Sequence, residues 1–258
     1  MHAFRRQAAA GIAVCGDSMI GRARLHSPIP VITMNLRRDF APGSVAAVAF
    51  DHDGTLVNSI PAVVAATNAT LIEAGFAPVS AEAVVAAMPL PTGPRLGSHA
   101  GLTDPREHAR LAELFYRHAH ELAPTRCQLY PGVAELLPAL TARGIPMAVV
   151  SNNEGALVRK ILGNLGILHH FTTILGEEDM PAPKPDPRGL LRATERMQRE
   201  AFWCVFVGDS HPDSRVAHNA GMRSIGVTWG IHPRAEMADF GFDALVDTPD
   251  ELLALLML

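Results

Sequence analysis

The strongest constraint on this chain is a short apolar run that breaks off into acid. Residues 45–50 read Val-Ala-Ala-Val-Ala-Phe, and the next five are Asp51, His52, Asp53, Gly54 and Thr55. A run this short, with no polar alternation, fits a strand buried on both faces of a parallel sheet. The pattern recurs. Residues 146–150 run into Ser151-Asn152-Asn153, residues 202–207 into Gly208-Asp209-Ser210, and residues 224–228 into Trp229-Gly230; residues 244–246 form a fifth run. Helical spacing of apolar residues fills the gaps, at 133–143, 156–165, 188–198, 214–220 and 250–256. Strands that alternate with helices imply βαβ units, and right-handed crossovers wind them into a doubly wound parallel α/β sheet.

One segment interrupts the alternation. Between residues 58 and 127 the pattern is helical only, at 61–74, 81–87 and 105–122. An all-helical insert after the first strand predicts a separate cap domain at 58–127 on a core made of 44–57 and 128–258. Residues 1–43 read as a loose leader. Arg5, Arg6, Arg22, Arg24, Arg37 and Arg38 outnumber Asp17 and Asp39 there, but the apolar stretch is short and no clean cleavage site follows. Met34 is a candidate downstream start.

Composition sets limits on partners. With 48% hydrophobic and 19% charged residues over 258 positions, there is ample material for a core. A net charge of -4 gives no bulk attraction to nucleic acid or to anionic membranes. No run approaches the roughly 18 apolar residues of a membrane span. Cys15, Cys127 and Cys204 are odd in number and far apart, which suits neither a disulfide framework nor zinc, and a cytoplasmic protein is expected. Oligomeric state is not legible.

In an open parallel sheet, ligands bind beyond the carboxyl ends of the strands, where these polar endings should meet. Asp51 and Asp53, one residue apart, suit a nucleophile and a general acid/base; an acidic helix-capping loop is the plainer alternative. Gly54 permits a sharp turn. Ser151 and Asn152 supply a hydroxyl and backbone N–H groups for phosphate oxygens, or are simple N-caps. Lys184, held between Pro183 and Pro185, offers an ammonium on a stiff loop, if it is not merely solvated. Asp209 beside Asp51 suits Mg²⁺, which takes one or two carboxylates. Asp213 is placed to hold a metal-bound water or to orient Lys184.

Taken in order, Phe50-Asp51-His52-Asp53-Gly54-Thr55-Leu56-Val57, Val150-Ser151-Asn152, Lys184-Pro185 and Gly208-Asp209-Ser210-x-x-Asp213 resemble the four motifs of the haloacid dehalogenase superfamily. Tyr130-Pro131-Gly132-Val133 and Asn219-Ala220-Gly221-Met222 resemble further parts of its phosphoglycolate-phosphatase-like branch. The resemblance covers residues 45–258 and implies that 58–127 is the helical cap. It implies that Asp51 attacks phosphorus, that Asp53 protonates the leaving oxygen and then activates water, and that Ser151, the Asn152 backbone and Lys184 hold phosphoryl oxygens. Mg²⁺ would lie between Asp51, the Asp53 carbonyl and Asp209. Dehalogenases of the family lack an acid where Asp53 stands, so its presence favours phosphate chemistry, and a helical cap closing over the strand ends favours a small phosphorylated metabolite. His52 replaces a usual apolar residue and reads as a packing change; Asn58 replaces a common Asp.

Several features stand apart. Val14-Cys15-Gly16-Asp17-Ser18 mimics an esterase nucleophile block, but the Asp-x-x-His such an enzyme needs is missing. His118, His120, His169 and His170 fit no metal spacing and read as surface or helix-end residues. Residues 88–95 read as a loop over the site, with Arg95 on the surface ahead of a role as an anion contact. The rivals are a phosphomutase of the same family, which would release no free phosphate, and an idle binding protein on this fold, which would act on no ester.

Overall fold

The computed structural model describes residues 45–88 and 90–257. The leader, Met34 and the Ser18 block lie outside them. Strand β1 (Ala47–Phe50) has two faces to bury and buries both: Val48 and Phe50 enter one core, Ala47 and Ala49 the other. A two-residue strand β2 (Val57–Asn58) then leads into four helices, α1 (Ile60–Glu73), α2 (Ala81–Ala87), α3 (Thr92–Ala100) and α4 (Pro105–Arg126). The chain returns through β3 (Gln128–Leu129), which pairs antiparallel with β2, Val57 opposite Leu129 and Asn58 opposite Gln128. The helical segment therefore leaves and rejoins the sheet at one paired crossing. Within it, Leu111, Phe115, Ala119 and Ala123 form an i, i+4 stripe that buries one face of α4.

The remaining elements alternate: α5 (Val133–Ala142), β4 (Met147–Val150), α6 (Gly155–Asn164), β5 (Thr173–Leu175), α7 (Arg188–Met197), β6 (Cys204–Gly208), α8 (His211–Asn219), β7 (Arg223–Val227), α9 (Arg234–Met237), β8 (Ala244–Val246) and α10 (Pro249–Leu256). Six strands form one sheet in the order β5-β4-β1-β6-β7-β8, with every pairing parallel. Leu136, Leu137, Leu157, Ile161 and Leu252 of α5, α6 and α10 cover one face; Leu190, Met197 and Val216 of α7 and α8 cover the other. The chain moves outward from β1 to β5, then returns beside β1 at β6. That reversal opens a crevice at the carboxyl end of β1.

The structure departs from the sequence expectation in several places. Strand β5 went unread, because Thr172 and Thr173 leave only Ile174 and Leu175 as an apolar run. Helix α8 begins at His211 rather than at 214: Ser210 and Asp213 cap each other reciprocally, and Pro212 falls in the first turn, where no N–H is needed. Residues 88–95 were expected as a loop, yet α3 starts at Thr92. Pro94 lies in its first turn, where its missing N–H breaks no helical bond. Helix α4 runs past 122 to Arg126, with Pro124 inside its last turn. Arg95, expected on the surface, is buried.

Candidate active site

Strands β4, β1 and β6 are neighbours, so the residues that follow them share one edge of the sheet. Asp51 follows β1, Ser151 follows β4 and Asp209 follows the last residue of β6; all three are buried. The loop after β5 brings in Lys184. Its Nζ donates to Asp51 Oδ1 at 2.5 Å and to Asp213 Oδ1 at 2.7 Å. The loop is braced as well as proline-flanked. Lys184 N donates to Asn152 Oδ1 at 2.7 Å, and Asn219 Nδ2 donates to the Pro185 carbonyl at 2.9 Å. Asp213 is fully committed, since its Oδ2 accepts from Ser210 N at 3.0 Å and from Ser210 Oγ at 2.5 Å. Its contact with Lys184 is the orienting one of the two roles open to it.

Asp209 sits in a pocket that only glycines can form. A Cβ on Gly54, whose φ is +83°, would lie 2.1 Å from Asp209 Oδ2, and one on Gly230 would lie 2.4 Å from it. The same oxygen accepts the Ile231 N–H at 3.0 Å. Asp51, Asp209 and Asp213 each present an oxygen within 4.8 Å of the others. Both Asp213 oxygens have partners within the chain, whereas among the described residues no hydrogen bond engages Asp51 Oδ2 or Asp209 Oδ1, which leaves these two carboxylates the freer to meet a cation.

The electrostatics fit a divalent cation. Three buried carboxylates face a single ammonium, a deficit that one divalent cation cancels. Burial, with Asp213 and Asp53 nearby, pushes Asp51 up to about 7 against the pull of Lys184. Burial and the charges of Asp213 and Asp51 raise Asp209 well above the usual carboxylate range. Burial would lower Lys184, but Asp213 and Asp51 outweigh it and hold the ammonium charged. Hard carboxylate oxygens are the donor set that Mg²⁺ prefers.

The Asp53 side chain stands outside this cluster. Its Oδ1 lies 3.1 Å from His52 Nδ1, and its Oδ2 accepts from Asn153 Nδ2 at 3.4 Å. Burial works to raise its pKa, but the His52 charge and these contacts hold the carboxyl below its usual range. His52 is wholly buried, as a packing residue would be, and it also contacts Asp53. Burial lowers its pKa, yet Asp53 outweighs that and the net shift is upward.

Ser151 Oγ accepts the Asn153 N–H at 3.1 Å, while the Asn152 side chain braces the Lys184 loop. Asn58, in place of the usual acid, accepts the Ile60 N–H at 3.3 Å through Oδ1 at the start of α1. Two contributors escaped the sequence reading, Asn153 and the Gly230–Ile231 backbone. The signals were present, because Asn153 ends the Ser151-Asn152-Asn153 block and Trp229-Gly230 closes a strand at the same edge. The set-aside histidines pair locally, His118 with Glu73 at 2.7 Å and His120 with Glu154 at 2.8 Å. The His169 and His170 rings lie tilted against each other with centres 4.1 Å apart. Cys127 and Cys204 are free and buried.

The family model for haloacid dehalogenase-like hydrolases matches residues 48–227. The chain is 36% identical over 197 residues to a phosphoglycolate phosphatase of Neisseria meningitidis, covering 72% of this chain and 81% of that protein. It is 35% identical over 214 residues to the phosphoglycolate phosphatase of Cereibacter sphaeroides, covering 81% and 96%. Among solved structures, a predicted phosphoglycolate phosphatase from Haemophilus somnus 129PT superposes with a TM-score of 0.75 at 28% identity, over 82% of this chain and 98% of that one. The edge that gathers Asp51, Lys184 and Asp209 and the match along the sequence agree: this chain belongs to the haloacid dehalogenase-like hydrolases.

Proposed function

We propose that this protein is a Mg²⁺-dependent phosphatase that hydrolyses a small phosphate monoester through an aspartyl-phosphate on Asp51. The observation that carries the reading is the buried Lys184–Asp51 contact inside an acidic cluster at the sheet edge. The phosphoglycolate phosphatases among its relatives support phosphoglycolate as a substrate. In this reading an Asp51 oxygen attacks phosphorus in line with the ester oxygen, and the P–O bond to the leaving group breaks. Asp53, ionised in the free site, takes up a proton from water as the ester binds and gives it to the leaving oxygen. It then takes a proton from the water that attacks the aspartyl-phosphate, and inorganic phosphate departs with Asp51 restored. Ser151, the Asn152 backbone N–H and Lys184 hold the phosphoryl oxygens; this is positioning and charge stabilisation, which is most of what phosphoryl transfer requires. Asp51, the Asp53 carbonyl and Asp209 would hold Mg²⁺, which when bound offsets negative charge on the phosphoryl group.

Residues 58–127 act in this reading as a cap over the crevice. Contacts from α4 support it. Tyr116 Oη donates to Glu177 at 3.4 Å, His120 pairs with Glu154, and Lys160 Nζ donates to the His120 carbonyl at 2.7 Å. Closure of such a cap favours a small substrate and keeps bulk water from the acyl-phosphate. Among the described residues no helix is long and apolar enough to cross a membrane, and with three scattered cysteines we place the protein in the cytoplasm. The test is phosphate release from phosphoglycolate, sugar phosphates, nucleotides and pyrophosphate, in Mg²⁺ and in EDTA. Release that needs the metal is expected; a panel that yields no phosphate overturns the reading.

A further inference from the structure

Among the described residues outside the acidic cluster, Arg95 is a buried charge with part of its hydrogen-bonding capacity unmet. Arg95 lies four residues into α3 and is 6% exposed. Its Cζ sits 5.0 Å from the centre of the Phe115 ring on α4. Nε is shut off from solvent and has no hydrogen-bond partner, and among the described residues no carboxylate pairs with the guanidinium. The backbone beneath it is fixed. Arg95 N donates to the Pro91 carbonyl at 2.9 Å, Ser98 Oγ donates to the Arg95 carbonyl at 2.7 Å, and Thr92 Oγ1 lies 3.2 Å from Tyr116 Oη.

Two observations place this side chain on the Asp53 side of the site. Phe115, the ring under the guanidinium, lines a narrow cavity together with Asp53 and Asn153. Burial lowers the arginine's pKa, while Tyr116 and Asp53 are the groups close enough to act against that. A buried arginine kept for packing alone should carry its own acceptors, because an unpaired buried charge is costly and the ring face satisfies none of its N–H donors. Here Nε has no acceptor, and the planar fork of donors suits a carboxylate or phosphate taken in two-point contact.

We infer that Arg95 is a substrate-binding residue that receives a second oxyanion, a carboxylate or a phosphate, on the leaving-group side of the ester. The inference rests on the phosphatase reading and adds the substrate class: a small monoester with an anionic group near its leaving oxygen. Lys184 holds the phosphoryl end and Arg95 the far end, with Asp53 serving the leaving oxygen. Phosphoglycolate is one ester of this kind.

The test compares kcat/KM in Mg²⁺ for phosphoglycolate, ethylene glycol bisphosphate and ethyl phosphate, first with the wild-type protein and then with Arg95→Met and Arg95→Lys. The wild type should prefer at least one of the anionic esters to ethyl phosphate by about a hundredfold or more, as a site with an unmatched buried donor set discriminates. The faster of the two identifies the group as carboxylate or phosphate. Arg95→Met should remove the preference, bringing the ratio of kcat/KM for the anionic ester to that for ethyl phosphate down about a hundredfold. Arg95→Lys, which keeps the charge and loses the fork, should restore part of it. Equal wild-type rates on all three esters overturn the assignment even if no variant folds, and so does a parallel loss on all three in Arg95→Met; the phosphatase reading survives both. Release from none of the three overturns the assignment as well, and the phosphatase reading falls only if the wider panel of esters also yields no phosphate.

Discussion

Lys184 touches Asp51 and Asp213 with a side chain that is 5% exposed, against 9% and 0% for its partners. Replacing it by Met leaves two buried carboxylates without their cation, a change that typically costs about 3–5 kcal/mol. Lys184→Met should therefore lower the melting temperature as well as phosphate release, and a melt unchanged from wild type would contradict the contact. At this scale the strand-end residues were legible because their side chains are unusual where they stand: acid, hydroxyl and a proline-flanked ammonium straight after apolar runs. Arg95 was not legible. Its burial depends on Phe115 folding over it from another helix, and no local pattern records that contact. Ile231 contributes a backbone N–H, for which the strand ending Trp229-Gly230 marks the place but not the contact. His52 was half legible: its burial follows from its place after β1, but its contact with Asp53 required coordinates.

Elements carry these side chains to one edge, and the loop after β7 shows how closely they fit. A Cβ on Gly230 would fall 2.4 Å from Asp209 Oδ2 and 2.5 Å from the Gly54 carbonyl oxygen, so neither neighbour can yield without moving the proposed metal site. Gly230→Ala should cost about 1–3 kcal/mol in overpacking and raise the Mg²⁺ concentration needed for half-maximal rate. A melting curve and a Mg²⁺ titration check both effects, and an unaltered titration would remove this loop from the site. The sheet was readable because strands buried on both faces leave uninterrupted apolar runs. Strand β5 escaped because Thr172 and Thr173 cut its apolar run to Ile174 and Leu175, and α3 escaped because three prolines and a glycine suggest a loop. The structure shows how those residues sit: Pro91 precedes the helix, and Gly93 meets the His108 backbone so closely that a Cβ would lie 3.0 Å from its carbonyl oxygen.

Over the whole molecule, the charge deficit at the sheet edge links metal binding to stability. A cation that binds the folded chain and not the unfolded one stabilises it by mass action, about 2.7 kcal/mol when present at a hundred times its Kd. Added Mg²⁺ should raise the melting temperature and EDTA should reverse the rise. Asp209→Asn should lose most of the shift while keeping the contact with Ile231 through its amide oxygen. An Asp209→Asn protein that responds to Mg²⁺ like the wild type would contradict the metal site.

The most direct test of the central claim sets phosphate release from phosphoglycolate by the wild type beside that of Asp51→Asn, each with Mg²⁺ and with EDTA. Lys184 keeps its partner Asp213 in the variant, so the fold should survive and the rate report the nucleophile. The account predicts metal-dependent release by the wild type and a loss of at least about a thousandfold in the variant. Release by Asp51→Asn at a rate near wild type would contradict it.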